Sequence, residues 1–216
     1  MSLFDNLLIL VCHGAEFQAV NKGFNSRLIK PKIISLPIGI NPVNEHLKSI
    51  KYQENFVLLI GLSGSLSLQY KVGDVVIYES SSYVNKDKII ETKECDRTLN
   101  NWLKKTLNVP IVKGITTDKL INSSVEKANL SSWGDVVDME SFAVMSNFDC
   151  VSVVRVISDN YDDNLPDLNS AITQEGTLDN FKMSRAFIQE PLKAITLIKN
   201  ALFSLKQLEK VSKNIA

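Results

Sequence analysis

Residues 136–144 read VVDMESFAV, with Asp138 and Glu140 one residue apart and apolar chain on both sides. The stretch up to Met139 suits a short buried strand and the stretch from Glu140 suits a buried helix, so a strand hands over directly to a helix here. In extended backbone, residues two apart share a side and the residue between them faces away. A buried carboxylate is costly unless something pairs with it. Two readings are open: an arginine elsewhere in the chain satisfies both acids, or one of them faces a cleft and holds a ligand.

Working outward, the same alternation recurs. LLILVC (7–12), KIISLP (32–37), FVLLIG (56–61), VGDVVIYES (72–80), PIVKGITT (110–117), DVVDM (135–139) and CVSVVRVIS (150–158) read as strands. The continuous apolar runs among them fit strands buried on both faces. Helical spacing marks GAEFQAVNKGF (14–24), NPVNEHLKSI (41–50), ECDRTLNNWLKKTL (94–107), NSSVEKANL (122–130) and ESFAVMSNF (140–148). Two further helices, TLDNFKMSRAFIQE (177–190) and PLKAITLIKNALFSLKQLEKV (191–211), follow the last strand. Pro42 sits where a first helical turn tolerates it, and Leu99, Trp102, Leu103 and Leu107 share one helix side. The alternation predicts an α/β fold: a single domain over 1–216 with a central, mostly parallel, twisted and mixed β-sheet flanked by helices. In such a fold the ligand crevice lies beyond the carboxyl ends of the strands.

Composition narrows the function classes. The 216 residues are 44% hydrophobic, enough for one real core. Lys plus Arg equals Asp plus Glu, 24 each, which gives no support to a nucleic-acid or membrane partner. The mildly basic KQLEKVSKNIA (206–216) reads as a solvated helix end. Cys12, Cys95 and Cys150 are an odd number at wide spacing, with neither a disulfide framework nor a metal-ligand pattern, so the expected compartment is the reducing cytoplasm. The N-terminal MSLFDNLLILVCHG has no basic n-region, and its apolar run is too short to span a bilayer.

Polar residues collect where the strands end. His13 and Glu16 follow the first strand; Gly61, Ser63 and Gly64, in GLSGS, follow the third; Met139 and Glu140 follow DVV; Ser158 and Asp159 end the last, with Arg155 just upstream. Each has an ordinary reading. Glu16 suits an exposed helix start, GLSGS a tight connection and Asp159 a turn or helix cap. Met139 and His13 suit packing, and Arg155 suits neutralising Glu140. GLSGS is not a P-loop, because no Lys-Ser/Thr follows it. No His/Asp/Ser arrangement or metal cluster stands out. Together the residues describe one crevice holding acids, an arginine and a glycine-rich turn.

VVDMESFAV followed by VVRVISDN resembles the purine nucleoside phosphorylase and methylthioadenosine/S-adenosylhomocysteine nucleosidase superfamily, in a Met-Glu pair at a helix start and an Arg-x-x-Ser-Asp on the next strand. FVLLIGLSGSLSLQYKVGDVVI and LPIGINPVNEHL are similar to further family segments. ISDNYDDNLP and GITTDKLINSSVEKANL look closest to its hopanoid-associated nucleoside phosphorylase branch. The resemblance implies an enzyme that cleaves the bond between ribose and a purine. It implies Asp159 as general acid toward the base, oriented by Ser158, Glu16 as activator of water, and Arg155 as partner of Glu140. Glu140 would accept from the ribose hydroxyls, Met139 would pack on the sugar, and Ser63 and Gly64 would lie against sugar or base. It also implies a homo-oligomer, dimer or hexamer, a small-molecule nucleoside as ligand and no metal.

The nucleophile divides the reading. Phosphorolysis needs a cationic or amide-rich pocket, and Leu59 and Leu62 stand where the family's hexameric phosphorylases place an Arg and a Ser. A carboxylate at Glu16 repels phosphate and suits water. Hydrolysis is therefore expected, with no cofactor. Phosphorolysis is the alternative, with inorganic phosphate as co-substrate held by Arg27, Lys22 or a partner subunit. A non-catalytic nucleoside-binding or storage protein on the same fold is the reading of another class. His13, Ala15, Asn41, Leu62 and Ser65 depart from the family's usual residues and put the 5′ side of the substrate in question.

Overall fold

A computed structural model describes residues 7–25, 30–50 and 56–215. Among these residues eight strands form one sheet: β1 (Leu7–Cys12), β2 (Lys32–Leu36), β3 (Phe56–Ser65), β4 (Val75–Asn85), β5 (Lys88–Glu94), β6 (Ile111–Thr117), β7 (Val136–Asp138) and β8 (Val151–Asp159). The helices are α1 (Ala15–Phe24), α2 (Ile40–Lys48), α3 (Arg97–Leu107), α4 (Ser124–Leu130), α5 (Ser141–Asn147), α6 (Asn180–Gln189) and α7 (Pro191–Ile215). The order is β2-β1-β3-β7-β6-β4-β5, and β8 pairs with both β3 and β4. The strands β3, β8, β4, β6 and β7 thereby close into a ring, with β1 and β2 extending from β3 and β5 from β4. Parallel pairs join β1 to β2 and β3, β3 to β8, and β6 to β4 and β7, while β3–β7, β4–β5 and β4–β8 are antiparallel.

Both faces of the sheet are covered, which is why β1 reads as an unbroken apolar run. Leu8 and Leu10 pack with Ile40, Val43 and Leu47 of α2 and with Ala143 and Val144 of α5. Leu7, Ile9 and Val11 pack on the other side with Val20 and Phe24 of α1, Leu99 and Leu103 of α3, and Leu208, Val211 and Ile215 of α7. Side-chain caps start several helices, each supplying an acceptor for an otherwise orphaned N–H. Asp96 accepts from Leu99 N at 2.7 Å at the start of α3, and Asp179 accepts from Phe181 N at 2.9 Å at the start of α6. Ser123 caps α4, its hydroxyl oxygen accepting from Glu126 N at 3.3 Å while the hydroxyl donates to the Glu126 carboxylate at 3.0 Å.

The structure corrects two sequence expectations and adds a strand. GLSGS is not a tight turn but the second half of β3, paired with β8 and β7. The chain end beyond Lys206 is not a solvated tail, since Leu208, Val211 and Ile215 are buried. The strand β5 was not foreseen, because its hairpin turns on Lys86 and Asp87, both at positive φ, rather than on glycine. β5 is an exposed edge, and its charged Lys88, Glu91, Lys93 and Glu94 protect it from pairing with other chains.

Candidate active site

Asp138 answers for half of the opening motif. It ends β7, and its Oδ1 accepts from the backbone N–H of Glu140 at 3.2 Å and of Ser141 at 3.1 Å, the groups that start α5. Thr116 Oγ1 donates to the same oxygen at 3.0 Å, and the Ser141 hydroxyl donates to Oδ2. This cap turns the chain sharply, so that Glu140 leaves the strand and points to Arg155 from a new direction. Arg155 Nη2 lies 3.0 Å from Asp138 Oδ2 and 3.3 Å from Glu140 Oε2. Glu140 Oε1 accepts from Gly39 N, at the start of α2, at 3.3 Å. One acid therefore organises the turn, the other reaches across to the start of α2, and one arginine serves both.

Arg155 is wholly buried, and β8 places it opposite Gly61 of β3. A Cβ on Gly61 would collide with Arg155 Nη1 on one side and with Glu16 Oε2 on the other. Arg155 Nη1 itself has no hydrogen-bond partner. Glu16 is the half-buried acid of the first turn of α1, turned inward to accept from Leu62 N at 2.8 Å. The bare backbone of Gly61 thus lets a carboxylate and a guanidinium edge face the same small space.

Burial pushes the Glu16 carboxyl up to about 7, against the opposing pull of Arg155 and with help from Glu140. Burial also raises Glu140, with Arg155 opposing. For Arg155, burial acts downward, but the carboxylates of Asp138 and Glu140 outweigh it and the net shift is upward. The inner site therefore holds three carboxylates against one permanent cation.

The second half of the site comes from an irregularity. Ser63 pairs with Ile157 and Gly64 with Asp159, leaving Ser158 as an extra residue in β8. The bulge puts Ser158 Oγ 2.9 Å from Asp159 Oδ1 and 3.1 Å from the Ser63 carbonyl. A Cβ on Gly64 would stand 2.9 Å from Asp159 Oδ2, so only glycine leaves room for that carboxylate. Met139, Asp138, Gly64 and Asp159 line one narrow pocket with Thr117, Lys119, Leu120 and Ile121. Met139 also lines an adjoining cavity of about 430 Å³, walled by Ile38 to Pro42 and by Ile172 to Gln174.

The structure thus brings Glu16, Arg155, Glu140, Met139, Ser63, Gly64, Ser158 and Asp159 to one region at the carboxyl ends of β3, β7 and β8. His13 is half-buried, its Nδ1 lying 3.0 Å from the Leu36 carbonyl, and it lines a further cavity that shares Asn41, Pro42 and Gln174 with the one beside Met139. Lys22 is exposed and paired with Glu209 of α7 at 2.8 Å, away from the site, and Arg27 lies outside the described residues. Sequence reasoning missed Asp138 as the organiser, Gly61 as the gap between the charges, and Lys127. The Lys127 ammonium is wholly buried on α4 and donates to Asp159 Oδ2 and to the Asn160 carbonyl. The helical period of 122–130 carries a signal for it, since Lys127 falls on the side of Leu130. Among the described residues, no group of His, Cys, Asp and Glu is arranged to hold a metal ion.

Residues 16–189 match the family model described as the phosphorylase superfamily. Among solved structures, a futalosine hydrolase mutant of Helicobacter pylori superposes with a TM-score of 0.68 at 19% identity, covering 95% of this chain and 97% of that one. The 5′-methylthioadenosine/S-adenosylhomocysteine nucleosidase of Helicobacter pylori superposes with a TM-score of 0.65 at 21% identity over 95% and 96% of the two chains. That of Streptococcus pneumoniae, with a transition-state inhibitor, gives 0.65 at 15% over 97% and 99%. At these identities the likeness is one of fold. No curated protein matches the chain significantly.

Proposed function

The chain belongs to the phosphorylase superfamily, and from that premise we propose that it hydrolyses the N-glycosidic bond of a purine nucleoside. The substrate is adenosine or a 5′-substituted adenosine of the methylthioadenosine or S-adenosylhomocysteine kind. The observation that carries this reading is Glu16, facing the unpartnered Nη1 of Arg155 across Gly61. A water between them donates to the carboxylate and accepts from the guanidinium. A carboxyl titrating near 7 is matched to taking a proton at neutral pH. The attacking oxygen bonds to C1′, the pair of the C1′–N9 bond leaves with the base, and the water proton passes to Glu16.

Glu140 accepts from the ribose hydroxyls, in bonds that strengthen as the sugar gains positive charge. Met139 packs on the sugar. Asp159, oriented by Ser158, addresses N7 of the departing base. Ser63, whose buried hydroxyl lies by that of Tyr78, and Gly64 lie against the sugar or base. The adenosine class is favoured by the fold shared with the Helicobacter and Streptococcus nucleosidases.

Phosphorolysis is the second reading, favoured by the same free Arg155 nitrogen, which suits a phosphate oxygen. Three carboxylates around that arginine weigh against it, because they repel an anion. The test is release of adenine from methylthioadenosine, adenosylhomocysteine and adenosine, with and without inorganic phosphate. Adenine without phosphate is the expected result. Release only with phosphate replaces hydrolysis by phosphorolysis. No release, with ligand-dependent thermal stabilisation, identifies a binding protein instead.

The working unit is proposed to be a homo-oligomer. None of the ten residues of α6 is buried, and Phe181, Ile188, Leu192 and Ile195 expose 80%, 80%, 79% and 63% along α6 and the start of α7. An apolar face of that extent is unusual on a monomer. A cytoplasmic location accords with three free cysteines, and among the described residues no helix is long and apolar enough to cross a membrane.

A further inference from the structure

We propose that Lys127 is a positioning residue that supplies, through Asp159, the proton taken by the departing base. The proposal rests on the nucleosidase reading and deepens it. Lysine is among the residues least often buried, and only a specific partner compensates its loss of water. Lys127 is 0% exposed, and its ammonium is spent on Asp159 Oδ2 at the end of β8 and on the carbonyl of the next residue, Asn160. It is held there firmly. The Ser123 cap, bonded to both the backbone N–H and the carboxylate of Glu126, pins the first turn of α4, and Leu130, one turn on, is buried with Ile115, Ile121 and Val137. The other oxygen of Asp159 is fixed by Ser158 at 2.9 Å. The carboxylate is thus gripped on both oxygens at the edge of the pocket that Met139 and Gly64 line.

An aspartate so paired is a carboxylate and has no proton of its own to donate. The pair does. As the C1′–N9 bond breaks, N7 takes a proton through the Asp159 carboxyl while that carboxyl takes one from Lys127 Nζ. The base leaves neutral, Asp159 ends as it began, and Lys127 is left as a neutral amine. Glu16 holds the proton lost by water. Return of one proton to Lys127 from solvent and loss of one from Glu16, after the products leave, restore the starting state.

The test separates a leaving-group role from a merely structural one. Lys127→Met is assayed on adenosine and on 4-nitrophenyl riboside, whose nitrophenolate departs without being protonated. The ratio of kcat on adenosine to kcat on the nitrophenyl riboside is expected to fall about 10²-fold, the scale of a lost general acid. An unchanged ratio overturns the proposal, whatever happens to the two rates together. If Lys127→Met does not fold, the charge-free pair Lys127→Gln/Asp159→Asn is compared with Asp159→Asn alone. Equal activities support action through Asp159, and a further tenfold loss overturns it. Failure of the unsubstituted chain to cleave any of adenosine, methylthioadenosine and adenosylhomocysteine removes the nucleosidase reading itself, and the proposal with it.

Discussion

At the scale of single residues, the site depends on which carboxylates are satisfied and which are left ready. Asp138 is saturated by Thr116, Ser141 and Arg155, so its charge is structural. Glu16 is held by one backbone N–H and kept near 7 by burial, so its charge is available. That difference predicts a pH signature. A carboxyl whose pKa is raised from 4.5 to about 7 in the folded chain favours folding in its protonated form. The contribution is complete below about 4.5 and is lost as pH climbs through about 7. Glu16→Gln, which cannot ionise, is therefore expected to match the parent Tm at low pH and to exceed it at pH about 8. In the same experiment kcat/KM of the parent rises with pH to a plateau above about 7, and the variant loses about 10²-fold or more at every pH. Parallel Tm curves for parent and variant would show that Glu16 sits in an ordinary aqueous setting.

At the scale of elements, the carboxylate proposed to activate water is placed by a helix contact two turns away from it. Gly23 brings α1 against α7 so closely that a Cβ there would stand 2.6 Å from the Glu209 carbonyl and against Ser212. Val20 and Phe24, on the same side of α1, are fully buried in that seam. Gly23→Val is expected to lift α1 from α7, costing about 1–3 kcal/mol in urea unfolding as an overpacked site does. Because Glu16 lies two turns upstream on the same rigid helix, the variant is also expected to lose kcat at temperatures where it is folded. Full activity at wild-type stability would mean that α7 yields instead. The long β3 shows the same logic in a strand. Its first half is a core strand between β1 and β8, and its second half, against β7 and the β8 bulge, is the floor of the site.

At the scale of the whole molecule, the ring of β3, β8, β4, β6 and β7 makes one frame: Arg155 and Asp159 stand on β8, Asp138 on β7, and Glu140 and Glu16 reach them from the starts of α5 and α1. Large apolar side chains stand exposed along α6 and the first turns of α7. Leu192→Glu with Ile195→Glu is expected to convert a homo-oligomer to monomers in light scattering, because burying two carboxylates in an apolar interface is costly. A parent chain that is already monomeric at micromolar concentration would remove that assembly from the proposal.

The alternation of apolar runs and helical periods was enough to establish an α/β fold with a covered sheet, because hydrophobic periodicity is a local property that burial imposes on every element. It also marked Glu140, Arg155 and Asp159, since polar residues at the ends of buried strands have few structural uses. Ring closure, the bulge at Ser158 and the approach of Lys127 to Asp159 were not legible in it. Each depends on register between strands or on one helix leaning against another, and no residue type announces such a distance. The same holds for GLSGS, whose glycines imitate a turn. Tertiary structure decided that they are strand, because Arg155, Glu16 and Asp159 need the space that a missing side chain leaves.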